Sequence, residues 1–308
     1  MGNLAKQQNR EIRILRAGIS MKIGISTASM YPLHTEDALL TAARLGVKNI
    51  EIFLNSNTEL KGKIFSHIEN TIMEYGLNII SVHPFSSPLE TLFLFSSYDR
   101  RVDEIMDLYK QYFEMMNKIN SKIFVVHGAI ASGKCPDERY VERFHKLVEA
   151  GKSAGIVVAQ ENVSYCKSGK LEFLEMLSRE LGDDAKFVLD IKQARRSGLQ
   201  PSAIIDALGS KIVHLHLSDG SESALGSQGG SPAANDRGLG AKPPFQEERD
   251  CLPIGAGNFD FSGFFAKLDE VGFCGSAVVE LYRDNYGDYS ELADSVIFLE
   301  KMLEKGCN

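Results

Sequence analysis

Short apolar runs recur along the chain, and each ends on or beside a single acid–base or metal-capable side chain. They are NIEIF around Glu51, IISVH at His83, IFVVH at His127, IVVAQE at Glu161, KFVLD at Asp190, IVHLH at His216 and AVVE at Glu280. Runs this short and rich in Val and Ile predict parallel strands covered by helices on both faces. Between them the apolar positions change to helical spacing. From Thr35 to Leu45, for instance, Ala38, Leu39, Ala42 and Leu45 share one face and Gly46 supplies a C-terminal stop. The same reading predicts a first strand over 21–27 and a second ending near Phe53. Later strands fall at 122–127, 186–190, 211–217 and 276–281, with others ending at His83 and Glu161. Further helices are predicted over 58–75, 98–117, 137–154, 169–181, 201–208, 260–271 and 287–305.

Unbroken alternation of strand and helix predicts the α/β class, as a single-domain (β/α)8 TIM barrel rather than an open doubly wound sheet. The 308 residues exceed the roughly 250 such a barrel needs, leaving room for extras. GAGNF near Gly255 follows a loop and not a strand, so it is no dinucleotide fingerprint. Residues 1–20 are polar, carry Lys6, Arg10, Arg13 and Arg16, and lack the apolar core of a secretory signal. They read as a flexible N-terminal extension to a barrel over 21–308. Residues 219–257, with GSESALGSQGGSPAANDRGLGAKPP, interrupt the rhythm after the seventh strand. A loop this long is either a functional lid over the mouth or a mobile insertion.

One polar residue at the C-terminal end of strand after strand is how a barrel delivers side chains to a common mouth, so the pattern points to an enzyme. Glu161, Asp190, His216 and Glu280 come from four consecutive strands, five to eight. Any one of them could be an ion-paired carboxylate or a satisfied core histidine; together they read as ligands of one divalent metal per chain. Three carboxylates and an imidazole form a hard site suited to Mn2+ or Mg2+, with Co2+ or Zn2+ acceptable. His214, two residues before His216, points the same way one layer deeper, as packing or support.

Bulk properties narrow the partners. A net charge of −7 argues against a broad nucleic-acid-binding face, and no apolar run is long enough for a membrane span. Cys135, Cys166, Cys251, Cys274 and Cys307 are scattered without CxxC spacing, which fits reduced thiols in the cytoplasm.

The strings SVHPF, VVHGA, AQENV, VLDIKQA, VHLHLSD, LPIGAGNFDF and VVELY resemble the xylose isomerase-like superfamily of sugar isomerases and epimerases. That superfamily also contains the apurinic/apyrimidinic endonucleases of family 2, and the resemblance spans about residues 21–303. It implies a metal-dependent ketose isomerase or epimerase that removes a proton alpha to a carbonyl through a metal-stabilised enediolate. In this implication Glu161, Asp190, His216 and Glu280 hold the metal, and Glu161 and Glu280 also form the acid–base pair. The substrate would be a small sugar or sugar derivative, in carbohydrate metabolism; homo-oligomers are frequent among such enzymes.

On the opposite wall, His83 and His127 read as donors to substrate hydroxyls, with a second metal as the alternative. Gln193 replaces a histidine of the DNA-repair branch and reads as a substrate hydrogen-bonder. Arg283 reads as a substrate binder or a salt-bridge partner, and Lys192 similarly; Glu51 reads as an ion-pair or substrate contact. A dehydratase acting on a keto-inositol-type substrate shares the early chemistry and stays open. Cleavage of abasic DNA is the further alternative. It would require third-metal ligands where this chain has Gln193, Arg249 and Cys251.

Overall fold

The computed structural model describes residues 21–85, 87–220 and 250–306. Its strands are β1 (Lys22–Ser26), β2 (Asn49–Phe53), β3 (Asn78–His83), β4 (Ile123–Val126), β5 (Val157–Glu161), β6 (Phe187–Asp190), β7 (Ile212–Leu217) and β8 (Ser276–Val279). Each strand pairs in parallel with the next, and β8 returns to β1 with Lys22 opposite Ser276 and Ile25 opposite Val279, closing the barrel. Around it run α1 (Thr35–Arg44), α2 (Gly62–Tyr75), α3 (Ser87–Leu92), α4 (Asp99–Lys118) and α5 (Asp137–Ser153). They are followed by α6 (Leu171–Leu181), α7 (Ile191–Arg196), α8 (Pro201–Leu208), α9 (Phe261–Glu270) and α10 (Ser290–Gly306). The fold is the (β/α)8 barrel the alternation predicts.

Periodicity explains the longer helices. On α4, Val102, Ile105, Met106, Tyr109, Tyr112, Phe113 and Met116 fall at helical spacing and are buried. The rings of Tyr109, Tyr112 and Phe113 meet Phe124 of β4 edge-on at 5.2–5.5 Å, so the main core lies between barrel and helices. Two helices, α3 and α7, appear where no helix is predicted. Each has six residues, too few for a periodic signal. The helix predicted over 58–75 is divided into a 3-10 turn at Asn57–Leu60, closed by a Ser56–Glu59 capping box, and α2. The extension 1–20 and residues 221–249 of the expected 219–257 loop lie outside the described residues.

The barrel interior is layered by strand alternation. The upper layer, toward the C-terminal ends, carries His83, His127, Glu161, Asp190 and His216. Two residues earlier on the same strands lie Ser81, Val125, Ala159, Val188 and His214. Val125, Ala159 and Val188 form a small apolar cluster of their own, while Ser81, His214 and Glu51 are polar and wholly buried. The lower layer is therefore apolar under strands four to six and polar under strands two, three and seven.

Close packing at β1 makes a test of this architecture. A Cβ added at Gly24 would stand 2.0 Å from the Asn49 carbonyl oxygen, and Asn49 also bonds Ile23 O and Asn78. Gly24→Ala is expected to lower stability by at least ~2 kcal/mol, because neighbouring strands must shift to admit the methyl group. Urea denaturation checks it; an unchanged midpoint would show that β1 and β2 pack less closely than described.

Candidate metal centre

Glu161, Asp190, His216 and Glu280 offer ligand atoms that all lie within 4.8 Å of one another. Glu161 ends β5, Asp190 ends β6 and His216 is near the end of β7, while Glu280 follows β8 by one residue. Asp190 pairs directly opposite His216, whereas Glu161 pairs opposite Val188 and Glu280 lies two residues beyond Val278, the β8 partner of His216. Asp190 is also the N-cap of α7, its Oδ1 accepting from Gln193 N at 2.9 Å, which leaves Oδ2 free to face the centre. Asn162 clamps the Asp190 backbone from both sides, donating to Asp190 O and accepting from Asp190 N. Gln160 does the same for the ends of β4 and β5, donating to the carbonyls of Val126, His127 and Glu161.

The donor set fits a divalent cation. Asp190 Oδ2 and His216 Nδ1 are buried without a hydrogen-bond partner, and Glu161 Oε2 lies 3.0 Å from His127 Nε2. An unsatisfied buried acceptor costs about 1–3 kcal/mol; Asp190 and His216 belong to the four-residue group, where a hard cation would satisfy them, while Glu161 Oε2 turns to the His83–His127 pair. His216 Nδ1 stands 3.4 Å from Glu161 Oε1 and 3.5 Å from Glu280 Oε2.

Electrostatics reflect this crowding. Burial pushes the Asp190 carboxyl up to about 6, with Lys192 opposing. Burial is the largest influence on Glu161 and Glu280 and acts to raise both, but His127, His216 and His83 together outweigh it at Glu161, and Lys192 with His216 at Glu280, so both end lowered. His216 is pulled down by burial yet held well above the usual imidazole range by Glu51, Glu280 and Glu161.

The other expected residues are placed as follows. His83 and His127 stand opposite, their Nε2 atoms 2.7 Å apart and both near Glu161 Oε2, so the three form a second group able to hold a cation. Burial lowers His127, whereas at His83 Glu161 overcomes burial and the ring is raised. Gln193 Oε1 accepts from Ser164 N and Ser164 Oγ, tying α7 to the loop after β5. Arg283 lies in the loop after β8, donating to Tyr286 O and packed over the rings of Tyr286 and Tyr289.

Three residues matter more than their sequence positions suggest. Lys192 is 4 % exposed, with Nζ 3.2 Å from Glu280 Oε2, 3.5 Å from Asp190 Oδ2 and 4.7 Å above the Tyr282 ring. Asp190 and Glu280 overcome its burial and hold its pKa well above the usual lysine range. Read along the chain as a substrate binder or an exposed salt-bridge partner, it is a buried ion-pair partner of Asp190 and Glu280. Glu51 is not at a strand end, where Phe53 stands, but one layer down. Glu90, on α3, is wholly buried and accepts from Gly128 N beside His127.

Burial raises Glu90 to about 8, against the Gly128 hydrogen bond. Its folded value lies above the unfolded one, so the stability it adds is fully present below about 4.5 and lost as pH rises through about 8. Glu90→Gln should abolish that part of the loss, leaving the variant more stable than wild type at pH 9 by on the order of 2–4 kcal/mol. Denaturation across pH checks this; parallel curves for both chains would sink it.

Anchoring of the loop after β7 is visible at both ends. Asp219 and Leu252 exchange backbone hydrogen bonds, the Asp219 carboxylate accepts from Gly220, Gly255 and Phe259, and Arg196 pairs with Asp250.

A closed barrel with this cluster at its C-terminal mouth defines a class, and a family model agrees. The chain belongs to the xylose isomerase-like TIM barrel family, whose model matches residues 39–302. An uncharacterized protein of Mycobacterium leprae (strain TN) is 24% identical over 225 residues, 65% of this chain and 75% of that protein. The fold is similar to that of a D-tagatose 3-epimerase-like protein, with TM-score 0.71 and 19% identity over 93% of this chain and 98% of the other. An IolI protein solved with a bound zinc atom gives 0.67, at 19% identity over 93% and 98%. The probable 3-DHS dehydratase AsbF of Bacillus anthracis gives 0.66, at 16% identity over 94% and 100%.

Proposed function

We propose that the chain is a divalent-metal-dependent isomerase or epimerase of a small ketose or sugar derivative. The observation that carries this is the convergence of Glu161, Asp190, His216 and Glu280 on one point with buried donor atoms left unsatisfied. A divalent cation held there, Mn2+ or Mg2+ for so oxygen-rich a set, supplies Lewis-acid stabilisation of negative charge on the substrate oxygens, worth several kcal/mol. Fold likeness to a D-tagatose 3-epimerase-like protein and to a zinc-bound IolI supports the class of chemistry and admits Zn2+.

Removing a proton beside a carbonyl requires a base, and inverting that carbon requires an acid on the other face. Glu161 and Glu280 stand on strands five and eight, three apart around the ring. Lowered pKa values keep both ionised in the free chain, so either can take the substrate proton, and the opposite one acts as acid after taking up a proton from solvent. His83 and His127, across from Asp190 and Glu280, hold substrate hydroxyls, and the buried Lys192 ammonium offsets part of the anionic charge. Gln193 and Arg283 act indirectly in this reading, through the loops after β5 and β8. Homo-oligomerisation is expected from the resemblance.

Likeness to a probable 3-DHS dehydratase supports a second reading, loss of water from the same kind of enolate. Endonuclease action has less support: Gln193 is committed to Ser164, and the Cys251 thiol is buried against Glu280 O. Free thiols at Cys135, Cys166 and Cys251 fit the reducing cytoplasm. Among the described residues no helix is long and apolar enough to cross a membrane.

Solvent-deuterium incorporation into a panel of ketoses, with and without Mn2+, tests the reading. Metal-dependent label at one carbon, absent with Glu161→Gln, is the expected result. Water loss from a keto-inositol without label in any ketose would transfer support to the dehydratase.

A further inference from the structure

Beneath the metal centre lies a polar network that no step above uses. Glu51 Oε2 accepts from Ser81 Oγ at 2.8 Å and stands 3.1 Å from His216 Nε2 and 3.3 Å from His214 Nε2. His214 Nδ1 meets Ser276 Oγ at 2.8 Å, and its Nε2 lies 3.1 Å from Ser81 Oγ. Glu51, Ser81 and His214 are all 0 % exposed. Their strands, β2, β3 and β7, meet Ser276 of β8 in the lower layer. Groups from β3 and β7 thus converge on one carboxylate oxygen of β2, and Ser276 of β8 holds His214 from its other edge.

That oxygen faces only one edge of the His216 ring. On the other edge, Nδ1 has no hydrogen-bond partner and looks toward Glu161 and Glu280. A ring that ligates a cation through Nδ1 keeps one N–H, on Nε2, and a carboxylate facing that edge can only accept it.

We infer that Glu51 is a positioning residue: it locks His216 as the Nε2–H tautomer with Nδ1 aimed at the metal, and Ser81 and His214 hold Glu51 in place for that task. Such outer carboxylates fix ring orientation and strengthen the ligand's basicity. A carboxylate serving barrel packing alone would affect stability and leave metal affinity unchanged. The inference rests on the metal reading above, yet it concerns cation binding and not turnover, so it can be tested without a substrate.

Two measurements on the full chain decide it. Calorimetric titration with Mn2+ compares wild type with Glu51→Gln, whose folding is checked by circular dichroism in the absence of metal. About 10- to 100-fold weaker binding by the folded variant is expected. Long-range proton–nitrogen NMR of 15N-histidine wild type, loaded with diamagnetic Zn2+, reads the tautomer directly and does not depend on any variant folding. It is expected to show Nε2 protonated on His216. Equal Mn2+ affinity in both chains, or a bare Nε2, overturns the role of Glu51 alone. No Mn2+ binding by wild type overturns the metal reading and this inference with it.

Discussion

Glu280→Gln is expected to lower sugar conversion by about 10²–10⁴-fold while leaving the barrel folded. The amide keeps the volume of the side chain and an oxygen that can face the metal, but it cannot take up a proton at neutral pH. Glu280 is 15 % exposed on its side chain against 2 % for Glu161, so it is the carboxylate of the pair more open to the mouth. Glu161→Gln should cost at least as much, because Glu161 also approaches His83 and His127 and its loss disturbs both walls of the site. Product assays at saturating Mn2+, with calorimetric proof that the metal still binds, separate loss of the base from loss of the cation. Conversion within tenfold of wild type in both variants would rule out the two glutamates as the acid–base pair.

Lys192→Met carries two effects of opposite sign. The ammonium lies between Asp190 and Glu280 at 3.5 and 3.2 Å, with almost no solvent access. Breaking a buried ion pair strands the remaining charges, so the metal-free variant should lose about 3–5 kcal/mol of stability. The same change removes a positive charge beside two proposed ligands. Mn2+ should then bind more tightly, and excess Mn2+ should restore much of the lost stability through linkage. Denaturation in EDTA and in excess Mn2+, with a calorimetric titration, reads both. An unchanged midpoint in EDTA, or weaker Mn2+ binding, would show that Lys192 is not the counter-charge of this site.

Much of this was legible along the chain because strands of a closed barrel are local and regular. A buried parallel strand must be apolar almost throughout, so a His or Glu at its end stands out against the run. Glu161, Asp190 and His216 were visible for that reason, and the closed barrel brings them together at its mouth. Glu280 was found by the same signal although it falls one residue past β8. Gly46 was read correctly as a helix stop, and it adopts a positive φ. His214 was placed one layer deeper by alternation, and it lies there. Glu51 was read near the end of a strand closing at Phe53, and the observed register puts it level with Ser81, one layer below His83.

The order of elements, the barrel class and the four converging residues are determined by the sequence itself, through periodicities of two and 3.6 residues that any stretch of chain carries locally. Only the tertiary structure decides which of two buried oxygens is left unpaired, which edge of His216 meets Glu51, and that Lys192 turns inward between Asp190 and Glu280. Those choices depend on contacts between residues far apart in the chain, such as Glu51 and His216 or Lys192 and Glu280. Side-chain direction across a barrel is settled by packing and charge in three dimensions, and no local pattern encodes it.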